Sequence, residues 1–231
     1  MPVTPSLPTK PSYNLSSSSL SPGTASTLVV LDFETTGLSP DQGDRAIEIG
    51  AVRLVDGQIR DRFQALMNPG RRVDSFIEGY TGISNAMLAK ARPCAAVMAE
   101  FAVYLGDDNM VAHNASFDRR FLDAEFSRIG QRTQGGFSCS MLVARRLYPG
   151  ATNHKLGTLV SQLQLPNDGV YHRALADAEM TAHLWLRMLA DIEQQFGLSA
   201  VSFTLMQQLS RTSKAAAPAL LQRHARHARR A

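Results

Sequence analysis

The chain has 231 residues, 44% of them apolar and 19% charged, which is enough for one sizeable folded domain with tails and excludes wholesale disorder. No apolar run approaches the length of a membrane span, and residues 1–27 lack both the basic-then-apolar pattern of a signal peptide and the arginines of a transit peptide, so a cytoplasmic protein without membrane contact is expected. The net charge of +4 is lopsided: no acid follows Glu193, whereas Arg211, Lys214, Arg223, Arg226, Arg229 and Arg230 do, and without those six the remaining 18 Lys and Arg face 20 Asp and Glu.

Residues 1–26 are rich in Ser, Pro and Thr and are expected to be disordered and outside the fold. The first element is the run Leu28-Val29-Val30-Leu31-Asp32-Phe33-Glu34, a β-branched, apolar strand that turns at Thr35-Thr36-Gly37. Side chains alternate along a strand, so Asp32 and Glu34 share one side while Leu31 and Phe33 take the other. Residues 46–55 and 58–67 read as two further strands around Asp56-Gly57, a strong hairpin signal. Helical spacing then runs from Asp74 to Leu105, with candidates at 86–89 and 95–105 and a break at Pro93.

Residues 109–113 form a short fourth strand, and 117–129 an amphipathic helix with Phe117, Phe121, Leu122, Phe126 and Ile129 on one side. Residues 137–148 are a fifth element whose type the pattern leaves open. A short helix at 155–163 and a long one at 174–196, closed by Gly197, complete the domain. Residues 200–209 fit a short amphipathic helix, followed by a basic tail. The domain should therefore span 27–197, with 198–231 as an appendage. Three strands followed by alternating helices and strands predict an α/β fold, a mixed sheet flanked by helices. Cys94 and Cys139 match no metal or redox spacing and read as reduced packing residues.

Two carboxylates on one face of a buried strand cost several kcal/mol, roughly, unless something holds them. A divalent cation is the simplest holder, since hard oxygen ligands suit Mg²⁺ or Mn²⁺; the plainer alternative is two acids facing water at a strand end. A second acidic stretch is His113-Asn114-Ala115-Ser116-Phe117-Asp118, where Asp118 falls in the first helical turn after a strand. Ligand sites gather at such junctions in α/β sheets, although an Asp there is also favoured by the helix dipole alone. The third is His172-Arg173-Ala174-Leu175-Ala176-Asp177, with Asp177 one turn into the long helix and His172 in the loop before it. An imidazole titrating near neutrality suits proton removal from water, while a lone His at a helix entry is commonly just a surface group.

Asp32-x-Glu34, Asp118 after His-Asn, and His172 five residues before Asp177 together resemble the DEDDh family of 3′→5′ exonucleases, and most closely its branch of proofreading (epsilon) subunits of bacterial DNA polymerase III. Ile47-Glu48-Ile49-Gly50-Ala51-Val52, Thr81-Gly82-Ile83 and Asn153-His154-Lys155-Leu156 agree with it, and the likeness covers about residues 27–197. The resemblance implies an RNase H-like fold with a five-stranded mixed sheet. It implies two divalent cations, Mg²⁺ or Mn²⁺: Asp32, Glu34 and Asp177 on one, Asp32 bridging to a second held by Asp118. Ions about 4 Å apart stabilise the attacking and leaving oxygens of an in-line displacement, and His172 takes the proton of the activated water. It further implies substrate contacts from Thr35, Thr36, Glu48 (to the terminal 3′-hydroxyl), Asn114, and Ile83 and Phe117 (against the last bases); Ile83 and Phe117 fit the core equally well.

The activity so implied is release of nucleoside 5′-monophosphates from 3′ ends of single-stranded DNA. RNA 3′-end trimming is the nearest alternative, and a non-catalytic module that only docks a nucleic-acid end or a polymerase is the more remote one. A DNA polymerase catalytic subunit is a candidate partner, but the sequence beyond Gly197 carries no clear polymerase-binding motif. The basic tail suits a polyanion, and equally suits a solvated end that aids solubility.

Overall fold

The structure is a computed structural model and describes residues 23–167, 169 and 172–229. Its centre is a mixed sheet of six strands in the order β4-β3-β2-β1-β5-β6. Strands β1 (Leu28–Thr35), β2 (Ala46–Val55) and β3 (Gln58–Asn68) form the antiparallel meander that the sequence predicts. The turn at Asp56-Gly57 places both residues at positive φ, 50° and 74°, the backbone that a two-residue hairpin demands. Strands β5 (Met110–Ala112) and β6 (Phe137–Cys139) add to the other edge of β1 in parallel. The sixth strand, β4 (Arg92–Pro93), is a two-residue parallel addition to the end of β3, too short to leave a sequence signal.

Helices α1 (Ser75–Thr81), α2 (Asn85–Lys90), α3 (Cys94–Leu105) and α4 (Ser116–Arg128) follow the meander and β5. The open element at 137–148 resolves into β6 and helix α5 (Ser140–Leu147). Helix α6 (Leu156–Gln162) precedes the long α7 (Ala174–Phe196), which Gly197 closes in a left-handed conformation, φ 69°.

The alternation of β1 divides the core. Val29, Leu31 and Phe33 join the cluster with α3 and α4, around Phe101, Phe121 and Phe126. Leu28 and Val30 join the opposite cluster with α7, around Trp185 and Met188. Asp32 and Glu34 continue that second face, beyond the point where α7 begins.

Both ends of the described chain belong to the second cluster, which departs from the expected boundaries. Residues 23–26 lie inside the fold. Thr24 bridges Ser202, Ala25 is fully buried, and its carbonyl accepts the indole N–H of Trp185 at 2.7 Å. The segment after Gly197 is packed rather than trailing: helix α8 (Phe203–Arg211) buries Phe203, Leu205, Met206 and Leu209. Helix α9 (Ala217–Ala228) buries Ala217, Leu220, Leu221 and Ala225. The disorder expected for residues 1–22 lies outside the described residues, and no described helix is long and apolar enough to cross a membrane.

Candidate active site

Sheet topology creates the opening for the site. Strand β5 has three residues, so β1 outruns it, and the backbone of β1 past Leu31 has no strand neighbour on that side. Asp118, in the first turn of α4, fills the gap: its Oδ1 accepts the Phe33 N–H at 3.2 Å. Asn114 makes the tight return from β5 possible by adopting φ 70°, a left-handed backbone that Asn tolerates, and its carbonyl accepts the Phe117 N–H. The chain reverses direction around this crevice, which is where open α/β sheets hold their ligands.

Asp177 arrives from the other direction. In the β1–β2 pairing Asp32 faces Gly50, so the missing Gly50 side chain lies on the same face as the Asp32 carboxylate. A Cβ there would overlap the backbone of Ala174 and Leu175, so the start of α7 rests directly on β2. The result is a tight group in which one carboxylate oxygen each from Asp32, Glu34 and Asp177 lie within 4.8 Å of one another. Asp118 joins through its bond to Phe33. Glu34 and Asp118 are buried, at 8% and 2% exposure.

Crowded acids away from water resist ionisation. Burial, followed by the charges of Asp118, Asp177, Glu34 and Glu48, holds Asp32 well above the usual carboxylate range. Burial and then Asp177, Glu48 and Asp118 push Glu34 up to about 8, with Arg173 opposing. Burial likewise pushes Asp118 to about 7, although the N–H of Phe33 and its own N–H favour its charged form. Hard oxygen donors, mutually repelling and clustered within 4.8 Å, fit a divalent cation and gain from one. His172 stands at the rim, exposed and at φ 59°, with its N–H donating to Asp177 Oδ2 at 3.1 Å.

Several expected substrate contacts are placed otherwise. Glu48 is 1% exposed, and four donors occupy its carboxylate: Arg173 in a two-pronged pair at 2.7 and 3.0 Å, Gln64 at 3.0 Å, and the Ala174 N–H at 3.1 Å. It anchors the start of α7 and has no lone pair turned to a 3′-hydroxyl. Ile83 is fully buried with Ile47, Val73 and Leu88, a packing role that precludes base contact. The Thr36 hydroxyl and amide are committed to Asp44 and Arg45, and the Thr35 hydroxyl donates to the Gly37 carbonyl, so these residues shape the turn after β1. Phe117 is partly buried against Phe121, ring centroids 5.0 Å apart, and Asn114 is exposed at the rim.

Other residues were not legible in the sequence. Phe76 and Tyr80 on α1 are 72% and 51% exposed, with rings stacked 5.9 Å apart and 10° from parallel. The Tyr80 ring lies 4.0 Å from that of His172, and its phenol is held above its ordinary range first by partial burial and then by Glu34, Asp177 and Asp32. Their i, i+4 spacing was the only available signal, and it reads equally as helix core. Buried Glu125 on α4 pairs with Arg45 at 2.8 and 2.9 Å beside the start of β2, a tie visible only across 80 residues.

Comparison with known proteins agrees with this geometry. The family model described as RNase_T, exonuclease, matches residues 29–185. The chain is 37% identical over 190 residues to the 3′-5′ exonuclease DinG of Bacillus subtilis, covering 80% of this chain and 19% of that one. It is 39% identical over 171 residues to the PolC-type DNA polymerase III of the same organism, covering 73% of this chain and 12% of the relative. The chain thus spans less than a fifth of the length of these curated relatives. Among solved structures, Exonuclease X in complex with 5′ overhanging duplex DNA superposes with a TM-score of 0.63 at 30% identity, covering 79% of this chain and 99% of that one. E. coli Exonuclease I with a dT13 oligonucleotide shares the fold, with a TM-score of 0.61 at 18% identity over 74% of this chain and 42% of that one.

Proposed function

The chain belongs to the RNase_T exonuclease family, and from that footing we propose that it is a metal-dependent 3′→5′ exonuclease that removes nucleoside 5′-monophosphates from single-stranded DNA ends. The observation that carries this is the convergence of Asp32, Glu34 and Asp177 within 4.8 Å, with Asp118 alongside and a histidine at the rim. In this reading Asp32, Glu34 and Asp177 would hold one divalent cation, and Asp118 with Asp32 would hold a second. Two Mg²⁺ or Mn²⁺ ions there would supply a nucleophilic water at neutral pH and neutralise charge on the attacking and leaving oxygens. His172, exposed beside the acids, receives the proton of the attacking water. The paired Asp118 and Phe33 N–H hold the strand end rigid, so the acids keep their spacing as a nucleotide enters.

Phe76 and Tyr80 extend this reading to the substrate strand. An exposed, stacked aromatic pair leading to His172 offers faces on which any base can stack, which suits removal of nucleotides without sequence preference. Stacking is worth about 1–3 kcal/mol per base, so Tyr80→Ala is expected to raise KM for a single-stranded oligonucleotide by about 5- to 150-fold. Phe76→Ala should do so to a smaller degree, with kcat less affected in both. A KM unchanged in both variants would leave the pair without a substrate role.

Similarity to PolC-type polymerases supports placing the domain beside a DNA polymerase, in proofreading or repair. A cytoplasmic setting accords with two cysteines that are unpaired and buried, the Cys94 thiol being pushed up to about 11 chiefly by burial. The deciding experiment follows shortening of matched, 5′-labelled DNA and RNA single strands with Mg²⁺, Mn²⁺ or EDTA. A metal-dependent ladder that is faster on DNA is expected. A faster RNA ladder would reassign the enzyme to RNA 3′-end trimming, and tight binding with no ladder would make the domain a docking module.

A further inference from the structure

The C-terminal helices carry an imbalance of charge that the acid cluster does not use. All nine ion pairs among the described residues draw their cation from residues 45–187. Arg211, Lys214, Arg223, Arg226 and Arg229 are all exposed and enter none of them, and no acid occurs anywhere after Glu193. The positions are fixed rather than trailing, because Leu220, Leu221 and Ala225 anchor α9 in the core and leave Arg223 and Arg226 one turn apart on its outer side. Arg223, Arg226 and Arg229, exposed at three-residue spacing along this anchored helix and its C-cap and outside the nine ion pairs, form a surface suited to a row of phosphates.

The location separates this surface from the acid cluster. Arg229 approaches Gly197, its guanidinium 3.4 Å from where a Gly197 Cβ would stand. Gly197 ends α7, while Asp177 lies in its first turn. Twenty residues of helix put the two about 30 Å apart at about 1.5 Å per residue. We infer that the outer face of α9, with Arg211 and Lys214 before it, is a second nucleic-acid contact that grips the phosphate backbone upstream of the 3′ end held at the acids. The inference rests on the exonuclease reading. It adds a length requirement: a strand stacked at about 3.4 Å per nucleotide needs about nine nucleotides to reach both surfaces, and an extended single strand needs fewer but still several.

The test compares the parent full-length protein with Arg223→Gln/Arg226→Gln/Arg229→Gln and with the charge-preserving Arg223→Lys/Arg226→Lys/Arg229→Lys. Binding of a fluorescein-labelled 30-nucleotide DNA is measured by anisotropy in EDTA across a salt series, and turnover of a 4-mer and the 30-mer is measured with Mg²⁺. Losing three phosphate contacts should lower the slope of log K against log salt by about 2 and weaken 30-mer binding by about tenfold or more at low salt. The Lys variant should match the parent, and 4-mer turnover should be the same in all three proteins. A Gln variant with the parent's affinity and salt slope on the 30-mer would overturn the inference while leaving the ladder, and so the exonuclease reading, intact. Equal weakening in the Lys variant would also overturn it, by tracing the effect to packing. Absence of any ladder in the parent would fault the exonuclease reading alone, since the anisotropy measurement needs no turnover.

Discussion

Asp32→Asn is expected to abolish hydrolysis and, in the same protein, to make the metal-free fold more stable. The first effect follows from the position of the carboxylate: it faces Gly50 at the centre of the sheet, within 4.8 Å of Glu34 and Asp177, and feels Asp118 most strongly of its charged neighbours. An amide there cannot neutralise a shared dication, and the loss should be about a thousandfold or more, the scale of several kcal/mol of transition-state stabilisation. The second effect follows from repulsion. Burial and the charges of Asp118, Asp177, Glu34 and Glu48 make the Asp32 carboxyl costly to ionise in the folded protein, and a neutral amide removes that cost. In EDTA at pH 8 the variant should melt at least about 3 °C above the parent. A variant that melts lower would show that the carboxylate supports the fold rather than the chemistry.

The pH dependence of the parent has a definite sign. Glu34 and Asp118 have folded values of about 8 and about 7, raised above their unfolded values of 4.5 and 3.8. Between those limits the folded protein keeps protons that the unfolded chain has released. Metal-free stability is therefore full below about pH 4 for this pair and declines as pH rises towards 8. Divalent cations should flatten the decline by taking the place of the protons, and Asp32→Asn should make it shallower without metal. Calorimetry in EDTA and in Mg²⁺ across pH 5–8 reads both slopes.

What the sequence conveyed, and what it withheld, divides along the range of the interactions. Strand alternation is local, and it put Asp32 and Glu34 on one face and Leu31 and Phe33 on the other, as the two core clusters bear out. The hairpin at Asp56-Gly57 was equally local. Glu48 was misread because its partners Arg173 and Ala174 lie 125 and 126 residues away, and an isolated acid beside a site looks like a ligand contact. Ile83 stayed open between base contact and core because nothing in Thr81-Gly82-Ile83 reveals that Ile47 and Val73 close over it, and the structure settles it as core. The C-terminal segment deceived by composition. Arginine and alanine without acids suggest a solvated tail, but Pro218 sits within the first turn of a helix, and Leu220, Leu221 and Ala225 supply a narrow apolar stripe. That stripe is enough once α9 packs on α7, in the same cluster as Phe203 and Leu209.

Gly50→Ala should be severely damaging for a single added methyl. Two pairs of a buried Glu with a half-exposed Arg tie β2 to the helices that carry the outlying acids: Glu125 joins α4, and with it Asp118, to Arg45, while Glu48 joins the start of α7, and with it Asp177, to β2 through Arg173. Each tie tolerates only a close approach, and at Gly50 the approach is backbone to backbone, so a Cβ meets Ala174 and Leu175 with no flexible side chain to give way. Helix α7 must lift from β2, which pulls the Ala174 N–H from Glu48 and Asp177 away from Asp32 together. Overpacking that shifts backbone costs about 1–3 kcal/mol, and a clash between two backbones lies towards the upper end. Turnover should fall with stability, and added Mg²⁺ should restore less of the melting temperature than it does in the parent, because the ligand set is spread. Gly79→Ala is the matched control, since a methyl on that α1 residue meets nothing within 4 Å and should stabilise the helix by about 1 kcal/mol. A Gly50→Ala protein with the parent's melting temperature and Mg²⁺ response would mean that α7 does not set the position of Asp177 through β2.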